Sequence, residues 1–273
     1  MYFRAQNHSS FGLFKKATTF ATCKIYIIKM EKLIKNISVD CVIFGFNSKT
    51  LQVLLTERIL KDEKTGEILI SDYTLQGHHV LVGENLDDAA RRVLKEKTGL
   101  DNIYLEQYYT FGNVNRKSNP KDQLWVRTRY PEISDHVISV GYFSLVNSAL
   151  VKPDHGHEFT QWFPVEELPP LAFDHETIIQ KALEALRFKL WREPIGFELL
   201  PEKFTLTQLQ SLYEAVLGIK LDRRNFRKKV SQMKHIILMD DHKKRSSPNN
   251  PQNYFFSREV YEKTRKARLD FTI

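Results

Sequence analysis

The spacing of hydrophobic residues changes along the chain, and these changes predict its secondary structure. The runs "SVDCVIFGF" (38–46) and "LQVLLTER" (51–58) are apolar and rich in β-branched residues, and the polar "NSKT" separates them. Two such runs joined by a short polar turn are typical of a pair of antiparallel strands. Further apolar runs predict strands at 103–112, 136–146 and 159–165.

A helix is predicted between Asn85 and Gly99, where apolar residues recur at intervals of three and four. Asn85 is placed to cap the first turn, with Asp88 in the capping-box position, and Gly99 is a typical stop. The predicted buried stripe consists of Leu86, Ala89, Ala90, Val93 and Leu94. A helix with one apolar side among strands indicates a mixed α and β fold in which the helix packs on a sheet.

Helical spacing dominates after Asp174. It predicts a helix with one apolar face to about Glu193, and a second helix that begins with the capping box Thr205 and Gln208 and ends at Gly218. Asp222 is placed to cap a third, basic helix, "RRNFRKKV". Two short helices joined by a Gly-containing turn match a helix-turn-helix in spacing. The apolar "HIILM" and "NYFF" then flank a basic stretch, as the strands of a wing would.

Charge is distributed unevenly. Residues 201–273 hold 16 of the 41 Lys and Arg residues but 8 of the 33 Asp and Glu residues, which leaves 25 of each in residues 1–200. The formal charge of +8 therefore comes from the last quarter of the chain. A neutral body with a basic C-terminal module favours one part that handles a small molecule and one that binds nucleic acid. The alternative is a solvated basic surface.

The first 29 residues contain five basic residues and no acidic one. Lys24 and Lys29 interrupt the apolar run and no small-residue cleavage signal follows, so we expect an extension outside the fold, arising from an upstream start codon, rather than a signal or transit peptide. Cys23 and Cys41 fit neither a disulfide framework nor a zinc site, which favours the cytoplasm. No apolar run reaches the roughly 20 residues of a membrane span.

The predicted helix at 85–98 resembles part of the Nudix hydrolase signature, G-x5-E-x7-R-E-U-x-E-E-x-G-U. In that frame, which starts at His78, Glu84, Arg92, Glu96 and Gly99 match the signature. His78 replaces its first Gly, and Val93 and Lys97 replace two Glu residues. By itself the stretch would also suit an ordinary amphipathic surface helix.

The resemblance implies that positions 93, 96 and 97, which share a helix face, would gather carboxylates around Mg²⁺ and activate a water molecule. Valine neither binds metal nor accepts a proton. An ammonium group about 4 Å from a divalent cation is repelled by roughly 2 kcal/mol even at the dielectric constant of water. We therefore expect no such metal cluster, no cofactor, and a pocket that binds without turnover, as a sensor requires.

Other stretches extend the resemblance over roughly residues 36–235. "LEQYYTFGNVNR" (105–116), "WFPVEELPPLAFDHETII" (162–179), "GFELLPEKFTLTQLQSLYEAVLG" (196–218) and "LDRRNFRKKV" (221–230) are similar to the Nudix-related transcriptional regulators of the NrtR/AraR type. That family implies a homodimeric repressor released by a small effector. In some members the effector is ADP-ribose or a related nucleotide, and in others it is a pentose such as L-arabinose.

The resemblance implies an α/β (α+β) fold, with a Nudix α/β/α sandwich followed by a winged helix-turn-helix domain rich in α-helix. The expected boundaries are an N-terminal extension at 1–35, a ligand-binding domain at 36–168, a linker helix at 169–200 and a DNA-binding domain at 201–273. The expected partners are an operator in double-stranded DNA and a sugar or nucleotide effector, with no membrane.

The resemblance also assigns candidate DNA-binding residues. The predicted second helix of the helix-turn-helix would present Arg223, Arg224, Asn225, Arg227 and Lys228 to phosphates and base edges. In the wing, Lys243, Lys244 and Arg245 would contact backbone phosphates. Phe226 is expected in the core.

Candidate ligand-binding residues are Gln76, Glu96, Tyr109, Asn115 and Arg116, since a nucleotide or sugar needs hydrogen bonds and an aromatic wall. Gln76 and Tyr109 would equally suit structural roles. His155 and His157 in "DHGHE" have a metal-like spacing but lack a third ligand, and His175 is expected to pack or cap at a helix start.

The alternative function is a working Nudix hydrolase of nucleoside diphosphate derivatives. It would need Mg²⁺ and carboxylates from elsewhere, for example Glu106 or Glu158, to rebuild the site.

Overall fold

The computed structural model describes residues 33–133, 136–151, 159–239 and 252–269, with side chains to residue 264. A seven-stranded sheet with two long strands at its centre dominates the N-terminal part. The first five strands are β1 (Leu33–Phe46), β2 (Leu51–Lys61), β3 (Ile68–Thr74), β4 (Gln76–Leu81) and β5 (Tyr104–Phe111). The sheet is completed by β6 (Ile138–Val146) and β7 (Thr160–Pro164). Its main order is β3-β2-β1-β6-β5, while β4 pairs with β1 and β7 pairs with β2.

The sheet is buried on both faces because consecutive residues of β1, Cys41 to Phe44, are apolar. Val39, Cys41 and Ile43 belong to one core cluster, together with the buried side of helix α1 (Leu86–Thr98). Val42 and Phe44 belong to the other, which includes one face of helix α3 (His175–Arg192). This arrangement confirms the α/β/α sandwich, since successive residues of a strand point to opposite faces of a sheet.

The helix predicted between Asn85 and Gly99 is confirmed, with four residues of its predicted stripe buried and Leu86 partly buried. The predicted capping box at its start is wrong. Gly99 ends α1 with φ 71°, a left-handed conformation that glycine adopts without strain. Asn85 occupies the cap position without making a capping hydrogen bond, and its Nδ2 instead donates to Oδ2 of Asp88 at 3.1 Å. The side chains of Asn85 and Asp88 thus form a hydrogen bond with each other in place of the predicted hydrogen bonds to backbone N–H groups of the first turn.

Helix α2 (Pro120–Arg129) was not predicted. Asn119 caps it by accepting a hydrogen bond from the backbone N–H of Lys121, and Pro120 starts it. The buried residue of this helix is Asp122 rather than an apolar side chain. A helix without an apolar stripe gives no hydrophobic period, which is why the sequence pattern missed it.

Residues 204–239 and 252–269 have the fold of a winged helix. Helices α4 (Leu206–Leu217) and α5 (Arg223–Val230) are the predicted pair, and the strands β8 (Phe204–Thr205), β9 (Ile236–Leu238) and β10 (Asn253–Phe256) form a sheet of order β8-β10-β9. Helix α6 (Arg258–Leu269) follows. The capping box of Thr205 with Gln208, the stop at Gly218 and the cap at Asp222 are confirmed.

Helix α3, predicted as part of a linker, is a layer of the sandwich. Its residues Ile178, Ile179, Ala182 and Leu186 are buried in the cluster that covers one face of the sheet. That cluster continues through Leu212 and other buried residues of α4. The sandwich and the winged helix therefore share one apolar core. Among the described residues, no helix combines the length and apolarity needed to cross a membrane.

Candidate functional site

The four signature residues at 84, 92, 96 and 99 lie around α1. Glu84 precedes the helix, and Arg92 on its second turn donates to both carboxylate oxygens of Glu84, at 2.8 and 2.9 Å. Arg92 Nη2 also donates to the backbone oxygen of His79 at 3.2 Å. The hydrogen bonds from Arg92 hold the pKa of Glu84 below its usual value. The pair fastens the loop before α1 to the middle of the helix and to β4.

Glu96 lies apart from this pair on the exposed side of α1. Its carboxylate is 3.9 Å from Arg92 Nη1 and its side chain is 49% exposed. Val93 is 1% exposed and packs in the core between α1 and the sheet. A carboxylate at position 93 would therefore enter an apolar layer, so positions 93, 96 and 97 do not form one open face.

These residues do not fit a Nudix magnesium site. The carboxylate of Glu84 is paired with Arg92, and the side chain of Val93 has no atom that binds a metal ion. The remaining carboxylate, that of Glu96, is next in sequence to the positively charged Lys97. Across the part of the chain that the structure describes, no group of three or more His, Cys, Asp or Glu side chains is placed to hold a metal ion. His155, His157 and Glu158 lie outside the described residues.

Glu106 lies on the far side of the sheet from α1. It pairs in register with Phe143, which belongs to the α3-side cluster, and its carboxylate is 3.0 Å from Nζ of Lys189 on α3. It also accepts a hydrogen bond from the hydroxyl group of Tyr104. Glu106 therefore cannot supply the carboxylate that the hydrolase alternative requires.

A polar cleft of about 430 Å³ opens beside the end of β5 and the start of α3. Three of the predicted ligand-binding residues, Tyr109, Asn115 and Arg116, line it. The lining residues that the sequence did not indicate include Asn113, Asn119, Asp122, Phe173, Asp174, Thr177 and Lys181. The aromatic, amide, carboxylate and ammonium groups are those that a sugar nucleotide needs.

Arg116 is fixed in the wall of the cleft. Its Nε and Nη2 donate to the carboxylate of Asp174, the Nη2 bond being 2.8 Å, and its Nη1 donates to the backbone oxygen of Phe111 at 3.2 Å. A second carboxylate, that of Asp40, lies 3.5 Å from Nη2. With its donors engaged, Arg116 orients Asp174 more than it offers a free cation to a ligand.

A buried ion-pair network supports the cleft from behind. Arg58 is 2% exposed and binds Asp72 at 2.6 Å and Asp122 at 2.7 Å. The other oxygen of Asp122 accepts from the backbone N–H of Phe173 at 3.1 Å. The guanidinium of Arg58 lies 5.2 Å from the ring of Trp125 and 5.0 Å from that of Phe173. These contacts fix α2 and the segment before α3 around the cleft.

Two predicted ligand-binding residues lie elsewhere. Gln76 is 1% exposed, and its amide bonds to Thr56 Oγ1 at 2.8 Å and to the backbone oxygen of Leu54 at 3.3 Å. Glu96 lies on α1 and does not line the cleft. His175, expected to pack or cap, is buried, and its Nδ1 accepts a hydrogen bond from the backbone N–H of Leu75 at 3.0 Å.

Helix α5 presents the predicted DNA-binding residues to solvent. Arg223, Arg224, Asn225, Arg227 and Lys228 are all exposed. Phe226 and Val230 point inward to the core that also contains Tyr213 of α4. Lys229, which the sequence analysis did not assign, is exposed as well. Lys243, Lys244 and Arg245 lie outside the described residues.

The basic side chains of α5 form no ion pair with another residue that the structure describes. The N-terminal cap is Asp222, whose carboxylate accepts from the backbone N–H of Asn225 at 2.8 Å. Unpaired cations on an exposed helix are available to phosphates, and an Arg or Asn side chain is suited to base edges in the major groove.

Both domains match known families. The NUDIX domain model matches residues 35–184, and the NrtR DNA-binding winged helix domain model matches residues 196–256. A relative from Acinetobacter baylyi, the ADPR responsive transcriptional repressor NtrR, is 31% identical over 230 residues. The match covers 82% of this chain and 83% of that relative.

Three solved structures are similar to this chain in fold. The crystal structure of Shewanella oneidensis NrtR is 26% identical, with a TM-score of 0.61, and the match covers 81% of this chain and 94% of that one. The same protein complexed with a 27mer DNA is 27% identical, with a TM-score of 0.61, over 81% of this chain and 93% of that one. A MutT/nudix family protein from Enterococcus faecalis, 20% identical with a TM-score of 0.57 over 91% of this chain and all of its own, shares the fold.

Proposed function

The chain belongs to the family of Nudix-domain transcriptional regulators that carry an NrtR DNA-binding winged helix, and on that premise we propose that it is a repressor released from its operator by ADP-ribose. The observation that carries the proposal is the exposed basic face of α5, joined by a shared core to a domain with a polar cleft. One part of the chain is suited to DNA and the other to a small ligand.

ADP-ribose is the effector that the cleft and the relatives support best. The Acinetobacter baylyi relative is named as responsive to ADPR. In the cleft, the carboxylate of Asp174 accepts ribose hydroxyl groups, the ring of Tyr109 stacks on a base, and Lys181 at the rim attracts a phosphate. L-Arabinose would use the hydroxyl-accepting groups but neither the aromatic wall nor the ammonium group.

We further propose that the protein binds DNA as a homodimer in the cytoplasm. A single α5 has 8 residues and reads one major-groove segment. Helix-turn-helix proteins commonly reach specificity by placing two such helices about 34 Å apart on a palindromic operator. Analytical ultracentrifugation with and without the operator tests this point.

The hydrolase alternative is not favoured because the signature face is incomplete: Val93 is buried in the core and Glu84 is engaged by Arg92. Incubation of the purified protein with ADP-ribose and Mg²⁺ tests it. The proposal expects no sustained turnover. Turnover that Glu96→Gln abolishes would support the hydrolase and contradict a protein that only senses.

DNA binding is tested with duplexes selected from a random-sequence pool. The combined variant Arg223→Ala, Arg224→Ala, Arg227→Ala is expected to lose binding, and the wild-type affinity is expected to fall steeply with salt because phosphate contacts release counterions. The matched control removes three exposed cations from the Nudix domain, at Lys61, Lys64 and Arg91. Normal binding by the α5 variant would contradict the assignment of α5.

A further inference from the structure

One helix, α3, runs from the cleft to the DNA-binding domain. Asp174 precedes its first residue and Thr177 and Lys181 lie on its first half, and all three line the cleft. On its second half, Leu186 and Leu190 belong to the buried core that contains α4. At a rise of 1.5 Å per residue, the helix spans about 20 Å from Thr177 in the cleft to Leu190 in that core.

Arg187 forms a polar link between α3 and α4. Its Nε donates to the backbone oxygen of Val216, the penultimate residue of α4, at 2.8 Å. A Cβ added to Gly218 would lie 3.4 Å from Arg187 Nη2, so the guanidinium group lies against the C-terminal end of α4. Carbonyl groups of a last helical turn lack partners within the helix, and a cation there is favourable to the helix dipole.

The turn after α4 ties α5 to α4. Gln210 Nε2 donates to the backbone oxygen of Leu221 at 2.8 Å, and Glu214 Oε1 accepts from the backbone N–H of Leu221 at 3.0 Å. The rings of Tyr213 and Phe226 pack edge to face with centroids 5.9 Å apart. A displacement of α4 relative to α3 therefore moves α5 with it.

We propose that Arg187 is the positioning residue that couples the cleft to the DNA-binding helix. The inference rests on the proposed function, because it requires ADP-ribose in the cleft and DNA on α5. A ligand that contacts the first half of α3 prefers one placement of that helix, and Arg187 transfers this preference to α4 through the carbonyl group of Val216. Coupling between two ligands is reciprocal, so DNA must weaken ADP-ribose binding by the same factor.

The test compares Arg187→Met with Arg192→Met in the full chain. Methionine keeps an unbranched stem and removes the N–H donors. Arg192 lies on the same helix, where its guanidinium lies 4.0 Å from the ring centroid of Phe188, and it is the matched control. The measured quantities are the Kd for a selected duplex with and without saturating ADP-ribose, and the Kd for ADP-ribose in the absence of DNA.

For the wild type and Arg192→Met, we expect ADP-ribose to raise the Kd for DNA by about tenfold or more. For Arg187→Met, we expect that ratio to fall below about threefold while the Kd for ADP-ribose alone stays within about twofold of the wild type. If Arg187 had a purely structural role, Arg187→Met would weaken the binding of DNA and of ADP-ribose. The factor by which ADP-ribose raises the Kd for DNA would then stay at its wild-type value. An unchanged ratio in Arg187→Met overturns the proposal.

If circular dichroism shows that Arg187→Met does not fold, Arg187→Lys replaces it, because lysine retains the positive charge but has a methylene group where arginine has the Nε–H donor to Val216. A ratio between those of the wild type and an uncoupled protein supports the coupling role, and a wild-type ratio overturns it. A wild type that ADP-ribose does not release from DNA contradicts the proposed function and the coupling role together. If ADP-ribose releases both the wild type and the Arg187 variant from DNA to the same extent, only the coupling role is contradicted.

Discussion

Arg92 donates hydrogen bonds from Nε and Nη2 to the two carboxylate oxygens of Glu84, at 2.8 and 2.9 Å. Glu84 also accepts from the backbone N–H of Leu81 at 3.0 Å. Two residues of the Nudix signature thus hold the strand-to-helix connection in place by hydrogen bonds to each other and to the backbone. This explains how part of the signature persists where other carboxylates are replaced.

The Glu84–Arg92 pair is expected to stabilise the fold. Glu84→Gln should lower the free energy of unfolding at pH 7 by about 1–2 kcal/mol, because a charge-assisted pair that is partly buried is lost. The folded-state pKa of Glu84 is lowered, so its contribution is present above the unfolded pKa of about 4.3 and is lost as the pH falls through the folded pKa. Urea unfolding at pH 7 and in acid measures both effects.

The control for that prediction is Glu96→Gln on the same helix. The side chain of Glu96 is 49% exposed and 3.9 Å from Arg92, so we expect a change within about 0.5 kcal/mol. Equal losses from both variants would show that Glu84 has no special structural role.

Restoring a signature carboxylate at position 93 is expected to damage the fold rather than create an enzyme. Val93 is 1% exposed in an apolar cluster with Cys41 and Ile43. Val93→Glu should lower the free energy of unfolding by about 3 kcal/mol, since it buries an unpaired polar group. Thermal unfolding checks the loss, with Lys97→Glu as the control. Wild-type stability together with turnover of ADP-ribose would contradict the placement of Val93 in the core.

The sequence predicted those parts of the fold whose signals are local. The apolar stripe of α1, the capping box at Thr205 and Gln208, and the glycine stops at Gly99 and Gly218 all depend on residues within a few positions of one another. The sequence missed α2, because its buried residue is Asp122, whose partner Arg58 lies 64 positions away.

The candidate cleft was only partly predictable because its lining residues also come from positions that are distant in sequence. Tyr109, Asn115 and Arg116 come from one continuous stretch, whereas Asp174 and Lys181 reach the cleft because α3 packs back on the sheet. Gln76 was assigned by its residue type, yet the structure uses its amide to join β2 to β4. Residue chemistry indicates what a side chain is able to bind, and the packing decides which groups it meets.

Stability is expected to fall in mild acid because of His175. Burial lowers the pKa of this imidazole, whose Nδ1 accepts from the backbone N–H of Leu75 at 3.0 Å. The unfolded state binds the proton more tightly, so stability is lost as the pH falls below the unfolded pKa of about 6.5, with a slope of at most about 1.4 kcal/mol per pH unit from this group. Denaturant unfolding between pH 8 and pH 5 measures the slope.

His175→Gln keeps an acceptor that does not titrate, and it should make the loss in acid shallower. Some dependence of stability on pH is expected to remain because of His79, since burial lowers the pKa of that imidazole too. A His175→Gln protein with the full wild-type slope would exclude His175 as a source of the acid sensitivity.

Lys181 is expected to recognise the phosphates of the effector. Its side chain is 44% exposed at the rim of the cleft, beside Glu184 at 2.8 Å. Lys181→Met should raise the Kd for ADP-ribose by about tenfold and leave the Kd for adenosine unchanged, since a charge-assisted hydrogen bond to phosphate is lost. Calorimetry measures both constants, with Lys95→Met on α1 as the control. Equal weakening of the two ligands would contradict a phosphate contact.

The most direct test of the account is the titration of a preformed protein–DNA complex with ADP-ribose, followed by fluorescence anisotropy of the labelled duplex and by chromatography of the nucleotide. The account predicts that the duplex is released in proportion to cleft occupancy while the ADP-ribose remains intact. A complex that persists at saturating ADP-ribose, or release that requires the nucleotide to be cleaved, would contradict it.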